Sequence, residues 1–202
     1  GDWERQKEDL QPLPLHGEGL AAWVAETLRA IAEEYCICTH ERAHKGAPIA
    51  AVAFQPPAQA AHGGSEGGRF LATSGEDGAT RVWQASDGES VCVLREPAAV
   101  VGLAWCPLGS GLLATASRDG RARVWDLDAA RGAAAAPVHV LEGVHSGPLT
   151  HVTFDRCGAV LAASSEDGTC SVWDAESGAL RHALPPSHRG RVNAARFSPV
   201  GR

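Results

Sequence analysis

Three times along this chain an Asp-Gly pair is followed by a Trp six positions after the Asp. The three are Asp77-Gly78 with Trp83, Asp119-Gly120 with Trp125, and Asp167-Gly168 with Trp173. The Trp residues are 42 and then 48 positions apart. A period in the forties constrains the fold strongly. It calls for an array of like units, each burying its apolar face against the next. Within each unit four β-segments are legible. The first strands are Ile49–Phe54, Val100–Trp105 and Leu149–Phe154, with Val192–Phe197 opening a fourth unit. Second strands start at Phe70, Leu112 and Val160, third strands carry the Trp, and fourth strands start at Val91, Val138 and Ala179. Asp-Gly between the second and third strands is a tight-hairpin signal.

Composition narrows the function classes. The chain has 202 residues, 44% of them hydrophobic, so it has the means to bury a core. Acidic residues exceed basic ones, 24 to 18, for a net charge of −6. That argues against a general nucleic-acid surface. No apolar run approaches the ~20 residues of a membrane helix, so no membrane partner is expected. Six scattered cysteines in a chain of this size read as free, mostly buried thiols of a reducing compartment. The expected location is intracellular, cytoplasmic or nuclear.

The repeated strand, Asp-Gly turn, strand and Trp resemble the WD40 repeat family, whose repeats build the blades of β-propellers. The resemblance covers about residues 35–202. It implies an all-β propeller segment with units near 44–95, 96–142, 143–185 and the start of a fourth at 186–202. It also implies a buried tetrad of His, Ser/Thr, Asp and Trp in each blade. Residue by residue this gives His44, Thr73, Asp77 and Trp83 in the first unit, a complete set. The second has Thr115, Asp119 and Trp125, with Glu96-Pro97 where the His belongs. The third has His145, Asp167 and Trp173, with Ala163 in place of the hydroxyl, and the fourth retains His188. The second unit is expected to be the least firmly pinned. Three units and one further strand fall short of the 4–8 blades of a closed ring, so the sequence reads as part of a longer reading frame. Were the chain this short, self-association would be expected.

Ahead of the repeats, residues 1–18 are charged and contain Pro, and read as a linker or strap. Over residues 19–35, Leu20, Trp23, Val24, Leu28, Ile31 and Tyr35 recur at helical spacing and predict a short amphipathic helix. Pro56–Gly68 and Ala129–Pro137 read as low-complexity loops. Gly63-Gly64-Ser65-Glu66-Gly67 matches the serine-hydrolase elbow, but without the strand before and helix after that the elbow needs. Cys36, Cys38, His40 and His44 are zinc-type donors at the wrong spacing for a zinc site. No P-loop or dinucleotide fingerprint is present, so no metal and no cofactor is expected.

In the family, partners commonly bind the face built by the loops entering each blade and the turns ahead of each Asp. The matching positions are Glu76, Arg118 and Glu166 in the turns, and Thr150, Asn193 and Arg191 near the first strands. The resemblance implies a non-catalytic scaffold that presents a peptide- or protein-binding face within a larger assembly. The alternative is the regulatory propeller of a longer multidomain enzyme or NTPase.

Overall fold

The computed structural model describes residues 44–56, 70–127, 135–186 and 190–198. The expected 1–18 segment and 19–35 helix lie outside them. So do Cys36, Cys38, His40, the Gly63–Gly67 motif, His188 and most of the two low-complexity stretches.

The described residues fold into three four-stranded antiparallel sheets. The first, blade 1, contains β1 (Ile49–Phe54), β2 (Phe70–Gly75), β3 (Ala79–Gln84) and β4 (Ser90–Arg95). Blade 2 contains β5 (Val100–Trp105), β6 (Leu112–Ser117), β7 (Ala122–Asp126) and β8 (His139–Leu141). Blade 3 contains β9 (Leu149–Phe154), β10 (Val160–Ser165), β11 (Cys170–Asp174) and β12 (Leu180–Leu184). In each blade the strands pair in sequence order, as short hairpin connections dictate. The first strands β1, β5 and β9 are neighbours in space, so the blades fan out from them.

Each blade buries both faces where it has a neighbour on each side. Phe70, Ala72, Val82 and Leu94 of blade 1 pack on Trp105, Leu113 and Trp125 of blade 2. Ala114, Ala116, Val124 and Leu141 of blade 2 pack on Val152, Phe154, Leu161 and Trp173 of blade 3. Small Ala residues on one face against Trp and Leu on the other let the sheets interdigitate. Trp105 Nε1 also donates across the first interface to the Ala53 carbonyl at 2.9 Å.

Two sequence expectations are corrected here. Residues 192–197 do not form a β-strand. Among the described residues no strand pairs with them, and a strand exists only through its ladder. The segment instead rests on blade 3, where Val192 N donates to the Ser165 carbonyl at 3.0 Å. The thiols are also less buried than composition implied. Of Cys92, Cys106, Cys157 and Cys170, only Cys106 is fully buried, Cys92 and Cys170 are half-buried, and Cys157 is exposed.

Candidate interaction face and the networks that hold it

The turns that join second to third strands have three residues in blade 1 and four in blades 2 and 3, rather than the two that Asp-Gly usually marks. Gly78 N donates to the Gly75 carbonyl at 3.3 Å, and Gly120 and Gly168 repeat this contact. The glycine therefore closes the turn with positive φ, +69°, +81° and +88° in the three blades. The Asp becomes a central turn residue. Its carboxylate accepts from the backbone N–H two residues on, at Ala79, Arg121 and Thr169. The preceding residue points outward, so Glu76, Arg118 and Glu166 are all exposed.

In blade 1 the four expected residues are brought together. His44 Nδ1 lies 2.8 Å from Asp77 Oδ1 and His44 Nε2 3.0 Å from Thr73 Oγ1. Trp83 Nε1 donates to the same hydroxyl at 3.0 Å. Arg81 NH1 stands 2.8 Å from the same His44 Nδ1, so that nitrogen faces both a carboxylate and a guanidinium. Gly75 makes room for the ring, since a Cβ there would stand 2.7 Å from His44 Nδ1. Arg81 adds a bond to Asp77 Oδ2 at 2.8 Å. Burial pushes the Asp77 carboxyl up, but the hydrogen bonds from His44 and Arg81 outweigh it and hold it below its usual value.

Blade 2 reaches a similar result with different chemistry. Trp125 Nε1 donates to Thr115 Oγ1 at 3.1 Å, as in blade 1. Glu96 takes the place of the missing His, with its side chain fully buried. Arg123 bridges the two acids, with NH1 2.6 Å from Glu96 Oε2 and NH2 2.6 Å from Asp119 Oδ2. A buried ion-pair bridge thus stands in the second unit where the expected His is missing. Burial pushes the Glu96 carboxyl above its usual value despite Arg123. At Asp119 the push of burial is outweighed by the Arg123 hydrogen bond, and the carboxyl sits low.

Blade 3 lacks the second-strand hydroxyl and recovers it from the third strand. Ser171 Oγ lies 2.6 Å from His145 Nε2 and accepts from Trp173 Nε1 at 2.7 Å. Ser171 sits opposite Ala163 in the ladder, two residues before the Trp, at the position held by Arg81 and Arg123 in the other blades. Asp167 does not reach His145 directly. Thr169 stands between them, 2.7 Å from His145 Nδ1 and donating to Asp167. Burial lowers the His145 pKa and so favours the neutral imidazole. Ser171→Ala removes the partner of His145 Nε2 and of Trp173 Nε1 and is expected to cost about 1–3 kcal/mol. Adding Ala163→Thr, which restores the second-strand hydroxyl of the other blades, is expected to recover most of that loss. Urea midpoints of the single and double variants measure it. No recovery would mean that only β11 can supply the hydroxyl.

These networks hold one rim in place. Glu76 N donates to the Pro48 carbonyl at 3.1 Å, Arg118 N to Ala99 at 2.9 Å and Glu166 N to Pro148 at 2.9 Å. Each outward turn residue is thus tied to the loop that enters its own blade. The turns also lie against the next entry loop. A Cβ on Gly78 would meet the Glu96 carbonyl, and one on Gly120 the Gly147 carbonyl. Arg191 is exposed and pairs with Glu166 at 3.6 Å. Asn193 is exposed and helps line an open cleft of about 320 Å³. Thr150 stands apart from the others. It is half-buried, and its hydroxyl lies 2.6 Å from the Val192 carbonyl and 2.9 Å from Ser164 Oγ, where it anchors the 190–198 segment.

A second cleft on this rim, about 340 Å³, is lined by Asp119, Gly120, Arg121, Glu142, Gly143 and His145. Arg121 and Glu142 form an exposed ion pair across it at 2.7 Å. Sequence reasoning missed this pair, as it missed Arg81, Arg123, Thr169 and Ser171. The signal was available, because a polar residue two before each Trp recurs in all three units. Among the described residues, no group of three His, Cys, Asp or Glu side chains is placed to hold a metal.

Comparison with solved structures places the architecture among many chains of this kind. One belongs to a structure described as "Crystal Structure of Mitotic Checkpoint Complex", with a TM-score of 0.64 at 20% identity. The match covers 81% of this chain and 44% of that one, so this chain spans less than half of its neighbour's length. A search of curated proteins gave no match. Residues 88–126 and 135–174 match the WD40 family model, described as "WD domain, G-beta repeat". These two matched repeats show that the chain carries WD40 repeats, and its three four-stranded sheets are built to one plan.

Proposed function

We propose that this chain is a non-catalytic scaffold whose rim of turns and entry loops binds a peptide or protein partner. The observation that carries this reading is the state of Arg118. It is exposed at the centre of the rim, and no ion-pair partner accompanies it among the described residues. Of the other arginines on the rim, Arg121 and Arg191 have carboxylate partners. An unpaired Arg on a rigid turn suits an anchor for an acidic or carbonyl-rich segment. Glu76, Glu166, Arg191 and Asn193 flank it and give the rim mixed charge. The Asp residue of each turn is engaged by groups of its own blade. The solved neighbour, from a structure described as a complex, is in keeping with a fold used for assembly.

The test is site-specific crosslinking in cells. A photoreactive residue at position 118 is expected to capture a discrete partner, and the same residue at His182, on the outer strand of blade 3, is not. A charge reversal, Glu76→Arg with Glu166→Arg, is expected to change the yield at position 118 several-fold. Equal capture at both positions would refute the assignment of the rim.

A further inference from the structure

The loop that enters blade 1 contains a tight turn on the rim. Ala47 N donates to the His44 carbonyl at 2.8 Å, and the two residues between them, Lys45 and Gly46, have φ of +51° and +89°. That is the pattern of a type I′ turn, which favours Asn-Gly and Gly-Gly. A lysine in the left-handed region is uncommon and costs conformational energy. Among the described residues, Lys45 is the one residue other than glycine with positive φ.

The surroundings explain how this conformation is held. On one side the His44 ring is fixed by Asp77 and Thr73. On the other the Pro48 carbonyl accepts from Glu76 N. Both ends of the turn are therefore tied to blade 1, and the turn has little freedom to relax. Its tip stands clear of the blade, since a Cβ on Gly46 would meet no atom within 4 Å. Lys45 itself is exposed, and no ion-pair partner accompanies it among the described residues. Strain held at a solvent-facing side chain points to a use in solvent.

A chain of contacts leads from Lys45 to Arg118. The His44 ring lies against Gly75, and Glu76, Asp77 and Gly78 follow as the blade 1 turn. Gly78 lies against the Ala98 carbonyl in the entry loop of blade 2. Arg118 N donates to the Ala99 carbonyl of that same loop. Lys45, Glu76 and Arg118 thus follow one another along the rim, with Glu76 between the two cations.

We propose that Lys45 is a second anchor, beside Arg118, for an acidic peptide segment that crosses the rim from blade 1 to blade 2. The proposal rests on the reading of the rim as a partner-binding face and names the partner's chemistry there. The ammonium of Lys45 is a point charge that accepts a carboxylate from several directions, whereas the Arg118 guanidinium takes one in a fixed fork. Both stand on turns whose backbones are already fixed, so little order is lost on binding. The net charge of −6 repels an acidic segment overall, and Glu76 does so locally. Binding therefore depends on these two cations, and it weakens as salt screens them.

The test follows the fluorescence anisotropy of a labelled oligoglutamate peptide titrated with the full chain at low salt. Urea midpoints are taken on the same samples. The unaltered chain is expected to bind saturably. Lys45→Asn suits the turn and removes the charge, so it is expected to bind several-fold more weakly and yet to unfold at higher urea. Lys45→Arg is expected to recover most of the affinity that Asn loses. Arg118→Gln is expected to weaken binding several-fold with the midpoint unchanged, and Glu76→Gln to strengthen it. If Lys45→Asn binds as tightly as the unaltered chain while Arg118→Gln does not, the role of Lys45 is overturned and the rim reading stands. Full affinity in both variants overturns the two together. A lower midpoint for Lys45→Asn would show that the lysine serves the fold, and would also overturn the proposal. Failure of the unaltered chain to bind would overturn the acidic partner, while capture at position 118 tests the rim by itself.

Discussion

Trp125→Ala is expected to destabilise the folded chain by about 3–5 kcal/mol, the range for removing a large aromatic side chain from a core. Trp125 is 1% exposed and is the largest fully buried side chain among the described residues. Its ring fills the space between blades 1 and 2 with Phe70, Val82, Leu94 and Trp105. The variant also strips Thr115 Oγ1 of the N–H that donates to it. Urea denaturation checks the loss, with Phe54→Ala as the comparison. Phe54 is equivalent to the core residue Trp105, yet it lies in solvent, so its loss is expected to cost under about 1 kcal/mol. Similar losses at both positions would mean that the open face of blade 1 is covered in solution.

Arg123→Ala is expected to cost about 3–5 kcal/mol at neutral pH, the range for breaking one partner out of a buried ion pair. Its guanidinium is shared by Glu96, which is fully buried, and by Asp119. The two acids respond to pH in opposite senses. Glu96 has a raised folded-state pKa, so the stability it contributes is full below its unfolded value and is lost as pH rises through the folded one. Asp119 has a lowered pKa, so its contribution is full above the unfolded value and is lost as pH falls through the folded one. Removing Arg123 raises both. The cost is therefore largest where both acids are ionised and shrinks on acidification as Glu96 takes up a proton. Urea midpoints at neutral pH and at about pH 4, near the ordinary carboxylate range, measure the difference. A cost independent of pH would show that the stranded Glu96 charge is not its source. Arg81→Ala is expected to cost less, because Asp77 keeps His44.

Much of the fold was legible in the sequence because its elements are short-range and repeated. The first three inner strands run over the residues that their apolar alternation marks, and the second strands follow from Phe70, Leu112 and Val160. What the sequence could not show was chemistry that crosses strands. Glu96 and Ala163 look like defects when each tetrad position is read alone. They are compensated by Arg123 and Ser171, which occupy one ladder position in different blades. Only the antiparallel register, with Thr115 opposite Arg123 and Ala163 opposite Ser171, brings the substitute to the site it serves. Residues 192–197 carry a strand's pattern without a strand's partner, and pattern alone does not supply one. On the rim, Arg118 and its neighbours could be placed because turns are local. Thr150 could not, since its engagement with Val192 joins residues 42 positions apart.

The three internal networks are unlike in kind: an imidazole–carboxylate contact, a guanidinium between two acids, and a relay of hydroxyl groups. A uniform array would loosen everywhere at the same solvent condition. Here the groups that hold each turn differ, so the blades are expected to differ in their response to pH and ionic strength. Amide exchange should then follow a different spatial order under each stress, with one blade opening while its neighbours stay protected. A rim assembled across all three blades would lose its contacts a third at a time, so a partner gripping several turns would dissociate in steps rather than at once.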